Sequence, residues 1–236
     1  MNLNYIRWRP LSRAKQMILP AGINERRIPF GLYRGLTLDI DFVSQTQFYL
    51  GLYEAETTAV IRTVLGQVDW VIDIGAGRGE LAILFRRTGA ACVIAVEPQA
   101  TERSVMARNM TFNGLDQTAI VVIDRFIGTA EGQVAIDDLP IAPERPGFLK
   151  IDVEGSELGV IRSAEHLLLR ARSLKVLIET HSAELERDCI AALARYGFSS
   201  RIIRNAWWRA ILPELRLGEH NRWLWAQKEE PRSHHQ

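Results

Sequence analysis

The chain has 236 residues, of which 47% are apolar and 24% are charged. This balance is typical of folded globular proteins and unlike that of disordered, collagen-like or disulfide-rich chains. Its 29 basic and 28 acidic side chains give a net charge of +1, so no overall field attracts nucleic acid or another strongly anionic partner. With ~150 residues per domain as a guide, the length predicts one large domain with an extension, or two small domains.

The most basic part of the chain comes first, because residues 1–36 carry seven basic side chains and a single acid, Glu25. Apolar and aromatic residues lie between them, so this segment is either a cap on the main domain, which we favour, or an arm that contacts an anionic membrane surface. No apolar stretch approaches the ~20 residues of a membrane span, and basic residues interrupt every candidate signal-peptide core. The two cysteines, Cys92 and Cys189, suit a reducing compartment. We therefore expect a cytoplasmic protein, with peripheral membrane contact as the alternative.

Short extended segments are predicted over residues 28–50, and a helix over residues 56–65. From residue 70 onward, apolar strand-like runs alternate with helical patterns, which is typical of a parallel sheet covered on both faces. The predicted strands are residues 70–74, 93–97, 119–123, 148–153 and 174–179, with a short edge piece at 133–136. The predicted helices are residues 79–87, 101–112, 157–170 and 183–196. Residues 200–203 and 222–226 complete the sheet as an antiparallel hairpin, so the chain is predicted to be an α/β, doubly wound, Rossmann-like sheet of seven strands.

A glycine-rich turn, Gly75-Ala-Gly-Arg-Gly79, follows the first strand of this sheet. Such turns bring a ligand close to backbone amides and a helix N-terminus. The dinucleotide fingerprint needs Gly or Ala where this chain has Glu80, and the carboxylate of Asp73 would repel a phosphate but suit an ammonium or sulfonium group. Glu97, at the end of the second strand, can accept both hydroxyl hydrogens of a ribose. Together these residues favour S-adenosylmethionine over NAD as the cofactor.

Four runs resemble the FkbM-type methyltransferases: Val-Ile-Asp-Ile-Gly-Ala-Gly-Arg-Gly at 71–79, Ala-Val-Glu-Pro at 95–98, Phe-Leu-Lys-Ile-Asp-Val-Glu-Gly-Ser-Glu at 148–157 and Leu-Ile-Glu-Thr-His at 177–181. The third run is the most specific, and the resemblance covers about residues 48–204. It implies a class I methyltransferase fold that binds S-adenosylmethionine and, in most of the family, methylates oxygens of sugars and secondary metabolites.

The chain is predicted to comprise a basic arm and cap at 1–58, an S-adenosylmethionine-binding methyltransferase domain at 59–228 and a polar tail at 229–236. Gly75, Gly77 and Pro98 join Asp73 and Glu97 as residues expected to bind the cofactor. Asp124 ends the third strand, where class I enzymes often contact the adenine amino group, so it is a further candidate.

The run at 148–157 also carries the candidate catalytic residues. Lys150 and Asp152 share one face of the predicted strand, and a buried lysine needs a carboxylate partner. Asp73, Glu154 and Glu157 are available, and we favour a structural ion pair between Lys150 and Glu157. Asp152 comes at the carboxyl end of its strand, where open α/β sheets bind ligands.

The next strand ends at Glu179-Thr180-His181, so Asp152, Glu179 and His181 are expected to converge. His181 or Asp152 would act as general base toward an alcohol, with Lys150 and Glu154 beside them, a contribution of ~10²–10⁴-fold. Alternatively, Asp152, Glu179 and His181 would hold a divalent cation that lowers the pKa of the alcohol. We favour base catalysis without a metal.

Residues outside the common sheet are expected to recognise the acceptor. Trp207 and Trp208, in the loop after the sixth strand, could stack on a sugar ring or an apolar acceptor, whereas Trp223 and Trp225 are expected in the core. Tyr53 and Glu54 either close the pocket from the other side or pack the cap.

The function favoured on these grounds is methyl transfer to a hydroxyl of a sugar, glycolipid or secondary metabolite. The alternatives are an NAD-linked oxidoreductase and a non-catalytic cofactor-binding module. A nucleic-acid methyltransferase is disfavoured because no Asn/Asp-Pro-Pro-aromatic run follows the fourth strand.

Overall fold

The structure, a computed structural model, describes residues 23–206 and 220–228. Its strands are β1 (Ile23–Arg27), β2 (Thr37–Asp41), β3 (Trp70–Ile74), β4 (Cys92–Val96), β5 (Val121–Ile123), β6 (Gly147–Ile151), β7 (Leu174–Thr180), β8 (Ser199–Ile203) and β9 (Arg222–Lys228). Its helices are α1 (Phe42–Tyr49), α2 (Thr58–Val64), α3 (Glu80–Arg87), α4 (Ala100–Phe112), α5 (Glu157–Arg162), α6 (Glu165–Arg170) and α7 (Ala183–Ala194). The basic arm before residue 23, Trp207 and Trp208, and the polar tail lie outside the described residues.

Seven strands form the main sheet in the order β5-β4-β3-β6-β7-β9-β8. The first five are parallel, and β9 runs antiparallel to both β7 and β8. The prediction of a seven-stranded α/β sheet with a final antiparallel pair is therefore confirmed. All five residues of β3 and of β6 are buried, as expected for parallel strands covered on both faces.

The two faces of the sheet carry separate apolar clusters. Val71 and Phe148 lie in one, and Ile72 and Leu149 lie in the other, because successive side chains of a strand point to opposite faces. Trp223 and Trp225 are 0% and 4% exposed and belong to the first cluster, so the prediction that they are core residues is confirmed.

A small antiparallel sheet, β1 with β2, precedes the main one and packs on α4. The buried side chain of Asn109 links the two, since its oxygen accepts from the Asp39 amide at 2.8 Å and its nitrogen donates to the Arg78 carbonyl at 2.9 Å. Leu38 and Ile40 of β2 share the apolar cluster of Val71. This segment is thus fixed beside the glycine-rich turn.

Residues 42–49 are helical, although extended segments were predicted there. The side chain of Gln45 accepts from the Asp41 amide at 2.9 Å, and the Thr46 hydroxyl donates to the Phe42 carbonyl. These local bonds favour a helical turn over a strand. The rings of Phe42 and Tyr49 meet edge to face at 5.0 Å, a contact that the helix brings about.

Two further predictions need correction. The helix predicted over 157–170 is two helices, α5 and α6, because the amides of His166 and Leu167 donate to the Asp137 carboxylate and a new helix begins there. The edge piece at 133–136 is only an isolated bridge between Val134 and Ile127, followed by a 3₁₀ turn at Ile136–Asp138. None of the described helices is long and apolar enough to cross a membrane.

Candidate active site

The turn after β3 holds three strand ends together. Gly75 has φ +75, and a Cβ at this position would lie 2.0 Å from the Asp152 carbonyl oxygen, so only glycine fits between β3 and the end of β6. The amides of Gly75 and Ala76 both donate to the Val96 carbonyl of β4 at 3.0 Å. Because these amides are already bonded, the turn does not offer them to a phosphate, which supports the sequence argument against a dinucleotide.

Glu97 is 6% exposed and organises the wall of the site that follows β4. Its Oε2 accepts from the Gly77 amide at 2.9 Å, and its Oε1 accepts from the Gln99 amide at 2.8 Å. Each carboxylate oxygen can accept a further hydrogen bond. This carboxylate is therefore held in place by backbone and still able to receive the two hydroxyls of a ribose.

Lys150 lies between two carboxylates under the floor of the site. Its Nζ is 3.0 Å from Asp152 Oδ2 and 3.6 Å from Asp73 Oδ1, and Asp73 is its register partner across β3 and β6. The expected pair with Glu157 is wrong, because the side chain of Lys150 lies on the face of β6 that carries Asp152 and meets Asp73, whereas Glu157 contacts His181 instead. One cation between two carboxylates leaves a net charge of −1 beside the glycine turn, which suits a cationic ligand.

Burial and the neighbouring charges act in opposite directions on the pKa values of Asp73 and Lys150. Burial raises the pKa of Asp73, although the ammonium of Lys150 lowers it. Burial alone would lower the pKa of Lys150, but Asp152 and Asp73 outweigh it and hold the pKa well above the ordinary value. Lys150 therefore stays charged and is not a proton acceptor at neutral pH. Asp73 is 1% exposed and does not line the pocket, so any effect on a bound ligand would come from its charge and not from direct contact.

A pocket of about 600 Å³ opens at the carboxyl ends of the strands, within the ~300–1,000 Å³ of small-molecule sites. Its polar lining includes Glu97, Gln99, Glu102, Gln133, Asp152, Glu154, Glu179, His181 and Asn221. Among the described residues, no lysine or arginine lines it. The acidic lining matches a sulfonium and ammonium ligand, so the site fits S-adenosylmethionine. A second cavity of about 620 Å³ lies at the opposite ends of the strands, beside Pro146 and Ser173, and contains none of the predicted site residues.

His181 follows β7 and is held by a buried carboxylate. Its Nδ1 lies 2.6 Å from Glu157 Oε1, and Glu157 is 0% exposed. The hydrogen bond to Glu157 raises the pKa of His181; partial burial acts against it, and the charges of Glu157, Asp152 and Glu154 add to the increase. An imidazole with one nitrogen fixed and the ring at a pocket wall is suited to accept a proton from a bound hydroxyl.

Asp152, Glu179 and His181 converge as predicted. One ligand atom from each lies within 4.8 Å of the others. Two carboxylates and an imidazole at this spacing could also hold a divalent cation, so both routes to an activated hydroxyl start from the same three side chains.

Of the remaining predicted residues, some line the pocket and others do not. Pro98 and Tyr53 line the pocket, but Glu54 does not; the charge of Glu54 nevertheless contributes to the raised pKa of Lys150. Asp124 is exposed and also outside the lining. Trp207 and Trp208 stay predictions, because they fall outside the described residues.

Sequence reasoning missed Phe126 and the role of Glu157. Phe126 is 66% exposed and lines the pocket two residues beyond Asp124. An aromatic side chain just after a strand end is the signal that could have identified it. Glu157 was noticed but given the wrong partner.

Comparison with known proteins is consistent with this geometry. Residues 128–205 match the family model described as the methyltransferase FkbM domain. That segment includes Lys150, Asp152, Glu157, Glu179 and His181. A comparison with curated proteins found no match.

Solved structures share the fold at low identity. Trm5b from Pyrococcus abyssi is similar with a TM-score of 0.52 and 13% identity, over 89% of this chain and 57% of that chain. A precorrin-6y C5,15-methyltransferase from Geobacter metallireducens GS-15 is similar with a TM-score of 0.50 and 17% identity, over 75% and 87% of the two chains. These likenesses concern the fold alone.

Proposed function

We propose that this chain, an FkbM-type S-adenosylmethionine-dependent methyltransferase with a class I fold, transfers the methyl group to a hydroxyl of a sugar, glycolipid or other secondary metabolite. The proposal that the methyl acceptor is a hydroxyl rests on the hydrogen bond between His181 and Glu157 at the pocket wall. An alcohol must lose its proton as it attacks, and a positioned imidazole supplies the acceptor.

When bound, the cofactor supplies an electrophilic methyl group on a sulfonium. Glu97 would hold its ribose, and the net negative cluster of Asp73, Lys150 and Asp152 would face its cationic part. Held in this way, the cofactor would present its methyl group to the side of the pocket where His181 lies. Orientation of the hydroxyl in line with the sulfonium is expected to contribute more than the base itself.

The acidic lining also bears on the acceptor. Asp152, Glu154 and Glu179 would repel a phosphate or carboxylate close to the reacting hydroxyl. A neutral polyol, such as a sugar ring, avoids this repulsion and can donate hydrogen bonds to the carboxylates. Trp207 and Trp208 are candidates to stack on such a ring.

Replacement of Glu97 by alanine tests the cofactor site. We expect the Kd for S-adenosylhomocysteine, measured by calorimetry, to rise about ten-fold or more, because charged hydrogen bonds contribute ~1.5–3 kcal/mol each. Glu131→Ala removes the same charge from an exposed residue outside the pocket and should leave the Kd unchanged. NAD should not bind wild type. Equal affinity in wild type and Glu97→Ala would refute the ribose assignment.

Replacement of Phe126 by alanine tests the adenine end. This ring lines the pocket at 66% exposure, and stacking of an aromatic side chain on a base contributes ~1–3 kcal/mol. The Kd for S-adenosylhomocysteine and for adenosine should each rise about five-fold or more. The matched control is Leu169→Ala, since Leu169 is 57% exposed on α6 and lies outside the pocket. An unchanged adenosine Kd would place the adenine elsewhere.

The acceptor class is tested by transfer of a labelled methyl group from S-adenosylmethionine to a panel of methyl glycosides, a glycolipid, amines and RNA. Label in an alkali-stable ether on a glycoside or glycolipid supports the proposal. Transfer to amines or RNA alone would replace it with N-methylation. Cofactor binding without any transfer would favour the non-catalytic module.

A further inference from the structure

Glu157, the first residue of α5, is a buried carboxylate. It is 0% exposed, and its only side-chain hydrogen bond among the described residues is the one between Oε1 and His181 Nδ1. Its Oε2 is buried with no hydrogen-bond partner there. A buried carboxylate is costly unless paired, and an apolar side chain would fill this place at lower cost. The charge of Glu157 therefore needs a compensating contact, and His181 supplies it.

His181, the partner of Glu157, has one ring nitrogen in a hydrogen bond and the other available. The side chain of His181 is 16% exposed and lines the pocket. Nδ1 is occupied by Glu157, and within the part of the chain that the structure describes Nε2 accepts and donates no hydrogen bond. When the ring is neutral, a carboxylate at Nδ1 keeps the proton on Nδ1 and leaves the lone pair on Nε2.

We propose that Glu157 is a positioning residue for catalysis, which holds His181 in the Nδ1–H form with Nε2 directed at the acceptor hydroxyl and stabilises the imidazolium that forms. The inference rests on the function proposed above and deepens it. It assigns to Glu157 the part that the buried carboxylate plays in a Ser-His-Asp triad, here with the acceptor hydroxyl in place of the serine.

The methyl transfer conserves atoms and charge. The acceptor oxygen forms a bond to the methyl carbon, and the carbon–sulfur bond breaks with its electron pair passing to sulfur. The hydroxyl proton moves to His181 Nε2. The positive charge that leaves the sulfonium thus appears on the imidazolium, next to the Glu157 carboxylate at 2.6 Å.

Charged groups on the neighbouring elements do not duplicate this contact. Asp152 and Glu154 follow β6, and their charges act on His181 through space. Glu179 lies in β7, two residues before His181. Only Glu157 bonds to the ring in the described residues, so only its removal should alter the tautomer.

The test combines two readouts on the full chain. Imidazole ¹⁵N spectra of wild type with S-adenosylhomocysteine report the tautomer. They are recorded at a pH high enough for the ring to be neutral, and the His181 signals are assigned by comparison with His181→Asn. Turnover with the methyl glycosides gives kcat and KM separately. Glu157→Gln is nearly isosteric and removes the charge. Glu165→Gln removes the same charge from an exposed residue on α6.

We expect the Nδ1–H form in wild type and its loss in Glu157→Gln. The kcat of Glu157→Gln should fall about 10- to 100-fold, part of the ~10²–10⁴-fold that a general base contributes. KM and the Kd for S-adenosylhomocysteine should stay within about two-fold of wild type, since a contact that acts only in the transition state lowers kcat without weakening ground-state binding. Glu165→Gln should match wild type in all four quantities.

The Nε2–H form in wild type would overturn the proposal whether or not any glycoside is methylated, and so would an unchanged kcat in Glu157→Gln. The wild-type spectrum decides the point even if Glu157→Gln does not fold. If wild type shows the Nδ1–H form but methylates no hydroxyl, the positioning contact stands and the proposed acceptor class fails, so the two failures are distinguishable.

Discussion

Replacing Lys150 with methionine is expected to lower the free energy of unfolding by about 3–5 kcal/mol, the usual cost of removing one partner from a buried ion pair. Asp73 is 1% exposed, and neither of its carboxylate oxygens has a hydrogen-bond partner in the described residues. Its compensation is the Lys150 ammonium at 3.6 Å. Without that ammonium, Asp73 and Asp152 become two negative charges at the end of adjacent strands.

Denaturant unfolding of wild type and Lys150→Met gives this difference directly. Arg34→Met is the control: Arg34 is an exposed cation in the turn before β2, and we expect a loss below ~1 kcal/mol, as for most surface changes. Adding Asp73→Asn to Lys150→Met should recover part of the loss, because the uncompensated charge is gone. A Lys150→Met protein as stable as wild type would mean that Asp73 is neutral in the fold.

The strands were predicted better than the segments around them, for a physical reason. β3 was predicted at its observed bounds, because its apolar run is too short for a helix and ends at a glycine-rich turn. Residues 42–49 were predicted incorrectly, since the bonds made by Gln45 and Thr46 compete with an apolar pattern that fits either a helix or a strand. Local side-chain bonds of this kind are not visible as periodicity.

In the candidate site, too, some features were predicted correctly and others were not. Glu97, Asp152 and His181 were predicted from one rule, that ligands bind at the carboxyl ends of parallel strands. The partner of Lys150 was predicted incorrectly, because it depends on the register that sets Asp73 opposite Lys150. Strand order and register follow from packing of the whole sheet, so a single sequence does not determine them.

Replacing His181 with alanine is expected to lower turnover by about 10²–10⁴-fold, the range that a general base contributes, and to leave the Kd for S-adenosylhomocysteine unchanged. The matched control is His166→Ala, since the His166 side chain is 83% exposed on α6 and lies outside the pocket lining. Equal turnover in His181→Ala and wild type would make His181 a structural residue and remove the basis for choosing a hydroxyl acceptor.

The pH profile separates a base from a metal ligand. The hydrogen bond to Glu157 raises the pKa of His181 above 6.5, and only the neutral ring accepts a proton. Wild-type kcat should therefore rise with pH through this raised pKa and level off above it, whereas His181→Ala should lack that rise. If the three side chains at 4.8 Å instead hold a cation, a chelator would abolish wild-type turnover and added Mg²⁺ or Mn²⁺ would restore it. Turnover that survives the chelator and follows the His181 titration identifies the imidazole as the group that takes the proton.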